Sequence, residues 1–524
     1  MRGFPSGAVR PPVRRTNAGG SGCDQRGATM SADGARQGWW SGEAGVRELL
    51  GSALPLAVST STFALMYFCD RMFLAWYDTL DMAAVMQAGT FSWTASAFFF
   101  GLASYAIAFV SQYRGSGRPD RIGAVVWHTA YVALLSLPCF LLIATLADDL
   151  FVWFGHAPEL IDRQASYIRI MAVGMPGQVL AAGLNAFFVG LDRTRIVMLI
   201  DVAASLVNIV LDYLWIFGIP GIAGTEWGLE GAAWATVVAI WFKVVCYLLL
   251  MRLQTDRATF AFASSWRFDP DLAWRMIRYG GPNGLQFTLE GSTFAVILLF
   301  LGRLEPLAME ATTLAISVNL VAFVPMIGIA MAVTGAVGNQ IGRGRADLAT
   351  RATWSGMAIG TFYSGLFAFA YWFLPEKFLI FHQLDPVEDA RLIGWSIFLL
   401  KFVAAYCLFD AWQLIFASAI KGAGDTLFTV WTLVATTVIV VVCGAAIEPL
   451  FETFDGKLLW WWSCLTGWLM MLCVAFGGRF FQGRWRTMSV VETHAIETPT
   501  AGDAIASRPV SRAVEASRRP RRSR

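Results

Sequence analysis

Gly101-Leu-Ala-Ser-Tyr-Ala-Ile-Ala-Phe-Val-Ser-Gln-Tyr-Arg-Gly-Ser-Gly-Arg-Pro-Asp120 ends a long apolar run in a polar turn. The pattern returns as Gly328-Ile-Ala-Met-Ala-Val-Thr-Gly-Ala-Val-Gly-Asn-Gln-Ile-Gly-Arg-Gly-Arg-Ala-Asp347. The offset is 227 residues throughout, so Gly115, Gly117, Arg118 and Asp120 recur as Gly342, Gly344, Arg345 and Asp347. Pro55 and Pro282 share the same offset, and Gly190-Leu-Asp-Arg-Thr194 loosely echoes Gly422-Ala-Gly-Asp-Thr426. Chance likeness between apolar helices would not place a G-x-G-R-x-D turn at matching positions. The chain therefore reads as two copies of one unit.

Each copy holds six apolar runs. Their approximate spans are 49–75, 84–111, 123–147, 166–190, 195–218 and 229–251, then 279–302, 307–338, 350–374, 391–420, 427–450 and 459–482. Each is long enough to cross hydrocarbon, which takes about 20 helical residues. Composition agrees: of 524 residues, 56% are hydrophobic and only 15% charged, and the mean hydropathy is +0.55. A soluble domain is roughly 25% charged. These figures exclude an ordinary cytosolic enzyme, a disordered scaffold and a nucleic-acid binder. The predicted fold class is an all-α membrane protein of twelve transmembrane helices. Six spans per half is an even number, so both halves enter from the same side and the repeat is parallel, as transporters commonly are.

The predicted domains are a disordered N-terminal tail at 1–45, a first half at 46–252, a linker at 253–278, a second half at 279–482 and a basic disordered tail at 483–524. Met30 is an alternative start. With the N-terminus inside, the inner loops carry 14 Lys and Arg against 5 outside. The positive-inside rule then favours both termini in the cytoplasm, and the expected location is the cell (inner) membrane.

Ionisable groups at mid-span cost at least about 2.5–3.5 kcal/mol each, and persist where they pair, face water or bind something. At about 1.5 Å of rise per residue, Asp70 lies roughly 28 Å up span 1, and Asn208 and Asp212 lie roughly 20 and 26 Å up span 5. Asn208 and Asp212 are one turn apart on one face. In the second half Glu290 lies roughly 18 Å and Asp410 roughly 20 Å from the same side, with Tyr406 one turn from Asp410. Carboxylate and amide oxygens at one height suit a hard cation such as Na⁺, or a proton. Asp70 with Asp212, and Glu290 with Asp410, are the expected functional pairs. Asp201 and Lys243, at similar depth on consecutive spans, are the expected structural pair, and Arg71 is a candidate neutraliser of Asp212.

Other features read more blandly. The Gly-x-Gly-Arg turns are tight cytoplasmic turns, with the arginine near lipid phosphate. Trp460-Trp461-Trp462 looks like an interfacial belt, and Phe98-Phe99-Phe100, Met171, Met175 and Met326 are candidate cavity lining, though lipid-facing filler is the expected role of most of them. The eight cysteines form no C-x-x-C pair, and His128, His156, His382 and His494 lack ligand spacing, so no structural metal is expected. No Walker A, H-E-x-x-H or G-x-S-x-G motif occurs. The chain is expected not to be an enzyme and to need no cofactor beyond a coupling ion.

Across about residues 45–482 the chain resembles the multidrug and toxic compound extrusion (MATE) family. The cues are Leu54-Pro55 with Asp70, Val110-Ser-Gln-Tyr-Arg-Gly-Ser-Gly117, Asn208-Ile-Val-Leu-Asp212-Tyr-Leu-Trp-Ile-Phe-Gly218 and Gly231-Ala-Ala-Trp-Ala-Thr236. Gly281-Pro282 with Glu290, and Phe409-Asp410 leading to Lys421-Gly-Ala-Gly-Asp-Thr426, complete the series. The resemblance implies two six-helix lobes around a V-shaped cavity. It implies export of organic cations, drugs or other amphipathic compounds in exchange for Na⁺ or H⁺, by alternating access, with a small-molecule substrate, lipid surroundings and a monomeric state. It also implies an N-lobe cation site of Asp70, Asn208, Asp212 and Thr236, and C-lobe acids Glu290 and Asp410 with Tyr406. Two departures stand out: Arg71 replaces a neutral residue, and Ala75-Trp-Tyr-Asp78 replaces the usual Gly-Arg-Leu-Gly-like end of span 1. The alternatives are a flippase for a lipid-linked or other amphiphile, which calls for a basic lining, and a membrane-embedded transferase, which calls for an interfacial His, Asp or Glu cluster.

Overall fold

The computed structural model describes residues 38–218, 224–254, 258–379 and 387–492. Most of each predicted tail, Met30, Cys23, His382 and His494 lie outside the described residues. Those residues contain no strand and twelve long helices. The first lobe holds α1 (Val46–Tyr77), α2 (Thr79–Gly115, interrupted at Tyr105), α3 (Ile122–Thr145), α4 (Pro158–Gly190), α5 (Thr194–Phe217) and α6 (Gly228–Gln254). The second holds α7 (Pro270–Leu301), α8 (Pro306–Gly342), α9 (Ala346–Phe373), α10 (Ala390–Ala423), α11 (Thr426–Ile447) and α12 (Phe454–Gln482). Eleven are long and apolar enough to cross a membrane. The exception, α9, is as long, but Thr, Ser, Gly, Trp and Tyr dilute its hydropathy.

Several helices run past the spans expected from hydropathy, α7 by nine residues at its start. A backbone entering lipid must satisfy its own hydrogen bonds, so the helix begins in the polar zone, before the apolar residues do. The starts are chemically marked. Pro158, Pro270 and Pro306 occupy first turns, where a missing N–H costs nothing. Asp78, Asp269 and Thr453 cap with side-chain oxygens that accept backbone N–H groups.

The repeat is visible in the packing. A Cβ on Gly115 would lie 2.1 Å from the Asn339 carbonyl oxygen, and one on Gly342 would lie 2.2 Å from that of Gln112. These are the same contact in the two copies. Ser111 and Gly338, equivalent positions, touch each other and so mark the pseudo-two-fold axis. Deeper in, Gly101 lets α2 reach the backbone of α7 at Asn283 and Gly284, while Gly328 lets α8 reach α1 at Leu56 and Ala57. Gly117 and Gly344 both adopt φ +71°, the left-handed conformation their turns require.

The core is divided unevenly. One apolar cluster runs through the C-lobe and the terminus-side half of the N-lobe, joining Leu49, Phe109 and Leu184 to Val333, Ile415 and Ile420. The far half of the N-lobe has its own cluster around Ala84, Phe140, Ile168 and Ala233. Cross-lobe hydrogen bonds gather on the terminus side. The Tyr105 hydroxyl donates to the Lys421 carbonyl (2.8 Å), Gln112 Nε2 to the Gly422 carbonyl (2.8 Å) and Asn283 Nδ2 to the Gly101 carbonyl (2.7 Å). The lobes are thus closed at the end that carries the first and last described segments, the terminus side.

Three expectations are corrected. Trp461 and Trp462 form no interfacial belt: both are fully buried, Trp461 stacked on Phe300 and Trp462 Nε1 donating to Thr312 Oγ1 (3.1 Å). They face the C-lobe core because α12 turns this side toward α7 and α8. Exposed aromatics at helix ends include instead Trp76, Phe373 and Phe481. Trp462→Ala should cost about 3–5 kcal/mol, read as a lower melting temperature in detergent. Second, Met171, Met175 and Met326 are buried core residues, neither cavity lining nor lipid-facing filler. Third, the near ends of both tails, expected to be disordered, are packed, as is the linker. Residues 258–268 lie on α3 and α4, with the Phe262 carbonyl accepting from Trp127 Nε1 (3.0 Å) and Phe260 and Phe262 against the Phe187 ring.

At the C-terminal end, Trp485 is fully buried, and Gln112 Oε1 accepts from Ser489 Oγ (3.0 Å) and the Val490 N–H (2.9 Å). Burial alone would raise the Glu492 carboxyl, but its own backbone N–H, Arg275 and Tyr113 together hold it below the usual glutamate range. A lowered carboxyl contributes stability above its unfolded value of about 4.3 and loses it as pH falls through the lower folded value. The melting-temperature gap between the native chain and Glu492→Gln should therefore stay constant from about pH 8 to 5.5 and close below about pH 4.

Candidate functional site

α1, α5 and α6 together build the N-lobe site. Asp70 is buried on α1, and Asn208 and Asp212 are fully buried one turn apart on α5. Asn208 Nδ2 donates to Asp212 Oδ1 (3.4 Å) and to Thr236 Oγ1 on α6 (3.4 Å). With the amide spent that way, Asn208 Oδ1, Asp212 Oδ2 and Asp70 Oδ1 are buried without a protein partner. Orphaned buried oxygens are costly, and their natural completion is a cation or a proton. A cavity of about 10 Å³ lies among Met66, Tyr67, Asp70, Tyr167, Asn208 and Thr236, the size of one water-sized occupant. The four residues predicted for this lobe are thus brought together, Asp212 through Asn208 rather than on the cavity wall.

Arg71 does not neutralise the site. It acts on Asp70 only through space, and its guanidinium lies 6.0 Å from the Tyr67 ring centroid. Lower in the same lobe, Lys243 Nζ and Asp201 Oδ1 are 2.5 Å apart, and Ser59 Oγ donates to the other Asp201 oxygen. That pair ties α1, α5 and α6 beneath the orphaned oxygens.

In the C-lobe, α7 and α10 make no substantial helix–helix contact, and Glu290 and Asp410 act on each other through space without a hydrogen bond. Each is served by an amide of its own helix: Gln286 Nε2 donates to Glu290 Oε1 (2.7 Å), and Gln413 Nε2 to Asp410 Oδ1 (3.2 Å). Depth along the chain set the two at one height but carries no lateral information. Tyr406 is buried one turn from Asp410 without a hydrogen bond to it. Lys421 acts on Glu290 through space, without an ion pair. Among the described residues, no lysine or arginine forms an ion pair with Asp70, Asp212, Glu290 or Asp410.

Sequence reasoning missed Tyr67, Tyr167, Gln286 and Gln413. Three carried a signal: Tyr67 is i−3 from Asp70, Gln286 i−4 from Glu290 and Gln413 i+3 from Asp410, each within one turn of an intramembrane acid. Tyr167 reaches the cavity from α4, and no spacing along the chain announces it.

Comparison with known proteins agrees with the two-lobed fold. The MatE family profile matches residues 55–214 and 282–446, two stretches that begin one repeat length apart. The multidrug resistance protein PmpM of Pseudomonas aeruginosa is 28% identical over 438 residues, covering 82% of this chain and 90% of the relative. The multidrug resistance protein MdtK of Pectobacterium atrosepticum is 27% identical over 390 residues, covering 72% and 82%. In fold, the chain is similar to the eukaryotic MATE transporter AtDTX14 (TM-score 0.73, 17% identity, 84% of this chain and 96% of that one). It is similar also to an outward-facing multidrug resistance MATE transporter of the MOP superfamily (TM-score 0.75, 19% identity, 86% and 98%). Matched in both halves, with twelve helices in two lobes, the chain belongs to the MatE family of multidrug efflux transporters.

Proposed function

We propose that the chain is a secondary antiporter that exports organic cations, drugs or other amphipathic compounds in exchange for H⁺ or Na⁺. The observation that supports this reading best is the set of three orphaned oxygens on Asp70, Asn208 and Asp212, buried beside a small cavity with no basic partner. Such a set favours the ion-loaded form and releases the ion only when its surroundings change. Acids rather than lysines and arginines line it, which separates it from a site built for a phosphate-bearing lipid.

Coupling follows from where α1 lies. It packs on α5 inside its own lobe and on α8 across the interface. Filling the site changes the charge between α1 and α5, and the same helix carries that change to the lobe contact. An ion and a substrate that favour different lobe arrangements exchange free energy through that difference. In this reading the closed, terminus-bearing end faces the cytoplasm of an inner membrane, and the monomer is the transporting unit.

The test is uptake of a fluorescent organic cation into everted vesicles, with Na⁺ and pH gradients imposed separately. Uptake driven by one gradient and collapsed by its dissipation is expected, and the gradient that drives it names the ion. Uptake indifferent to both gradients would reject antiport. Asp410→Asn is expected to lower ion-driven uptake without preventing membrane insertion, and unchanged uptake would remove Asp410 from the coupling machinery.

A further inference from the structure

The arginine of each repeat turn is held by a glutamate from a terminal segment of the opposite lobe. Glu43 precedes α1 of the N-lobe. Its two carboxylate oxygens accept from Arg343 Nη1 (2.9 Å) and Arg345 Nη1 (2.8 Å), in the α8–α9 turn of the C-lobe. The same segment adds the Gly38 carbonyl, which accepts from Arg351 Nη2 (3.0 Å), and the Ala44 carbonyl, which accepts from Ser355 Oγ (2.9 Å). Glu492 follows α12 of the C-lobe. It pairs with Arg118 (3.2 Å) and Arg121 (3.4 Å) in the α2–α3 turn of the N-lobe, with Arg275 at the start of α7, and with the Tyr113 hydroxyl (3.0 Å). Arg118 and Arg345 are equivalent residues of the repeat, 227 positions apart. Glu43 and Glu492 are not equivalent, so two unrelated tails converge on one repeated feature.

Both grips lie just outside the close glycine crossings at Gly115–Asn339 and Gly342–Gln112. If the terminus-side crossings part, Arg118 leaves Glu492 and Arg345 leaves Glu43, because each pair spans the parting line. We propose that Glu43 and Glu492 are the two latches of the terminus-side gate, each closing across the interface onto the repeat arginine of the other lobe. The proposal rests on the alternating-access reading above. It gives Arg118 and Arg345 a role as gate residues instead of lipid-phosphate contacts. Releasing both latches should raise the share of molecules open at the terminus side without touching the ion site.

The test uses the full chain in lipid nanodiscs, with hydrogen exchange followed in peptides covering residues 105–121 and 335–349. Glu43→Gln with Glu492→Gln should speed exchange there by at least about tenfold and alter the rate of ion-driven efflux. Peptides around Asn208 should be unchanged. Raising KCl from about 50 to 500 mM should produce part of the same effect in the native chain, because exposed ion pairs are screened. The swap Glu43→Arg with Arg345→Glu should restore slow exchange, and this guards against a variant that merely misfolds. A lower melting temperature with unchanged gate exchange and efflux would overturn the latch and leave only a structural brace. Failure of the antiport reading would look different: the native chain would then show no change in gate exchange when Na⁺, a change of pH or a substrate is supplied.

Discussion

Asp212→Asn is expected to abolish ion-gradient-driven efflux while leaving folding and membrane insertion intact. The change keeps the shape of the side chain, so the Asn208 amide and the α5–α6 packing survive. What it removes is a fully buried carboxylate whose second oxygen has no protein partner. A hydrogen bond to a charged group is worth about 1.5–3 kcal/mol, so affinity for the coupling ion should fall by roughly tenfold to a hundredfold. Asp70→Asn should behave alike. The measurement is uptake in everted vesicles, normalised to inserted protein. Asp410→Asn should do less damage than either, because Asp70 and Asp212 each carry an orphaned buried oxygen and Asp410 carries none. Equal losses from all three would mean that the two lobes form one coupled site after all.

Gly342→Ala, and Gly115→Ala on the other side of the pseudo-axis, should stop transport by a different route. Each added methyl would meet a backbone oxygen at 2.1–2.2 Å, and a backbone oxygen, unlike the far end of a flexible side chain, cannot swing aside. Overpacking of this kind costs about 1–3 kcal/mol. That cost falls only on the arrangement closed at the terminus side, so the equilibrium should shift from it by roughly fivefold or more. Faster hydrogen exchange in residues 335–349, with normal expression and greatly reduced efflux, is the expected result. Normal efflux in both variants would mean that the crossings loosen at no cost.

The fold was largely legible because one offset governs it. The recurrence of Gly115 and Arg118 at Gly342 and Arg345 announced two equivalent halves, and the structure packs Gly115 on Asn339 and Gly342 on Gln112 across the axis. The N-lobe site was legible for a related reason. Asp70, Asn208 and Asp212 share a depth and occupy helices that pack on each other, so height along the chain was enough. For Glu290 and Asp410 height gave less: the two act on each other through space, but each takes its hydrogen bond from its own helix, which height does not announce. The tryptophans at 460–462 misled because aromatic residues at a helix start look alike whether they face lipid headgroups or a neighbouring helix. The packed ends of the tails were hidden by composition: Gly, Arg and Ser suggest disorder, yet one glutamate in each segment meets two or more arginines that lie hundreds of residues away.

The uneven division of the apolar interior has a mechanical consequence. The far half of the N-lobe holds its own cluster, so it can lean toward or away from its neighbour as a solid block, without melting its packing. Leu180 on α4 touches both clusters, a few residues past Pro176 and Gly177. Any rocking of that block pivots there, making the middle of α4 the fulcrum and the glycine crossings the short arm of the lever.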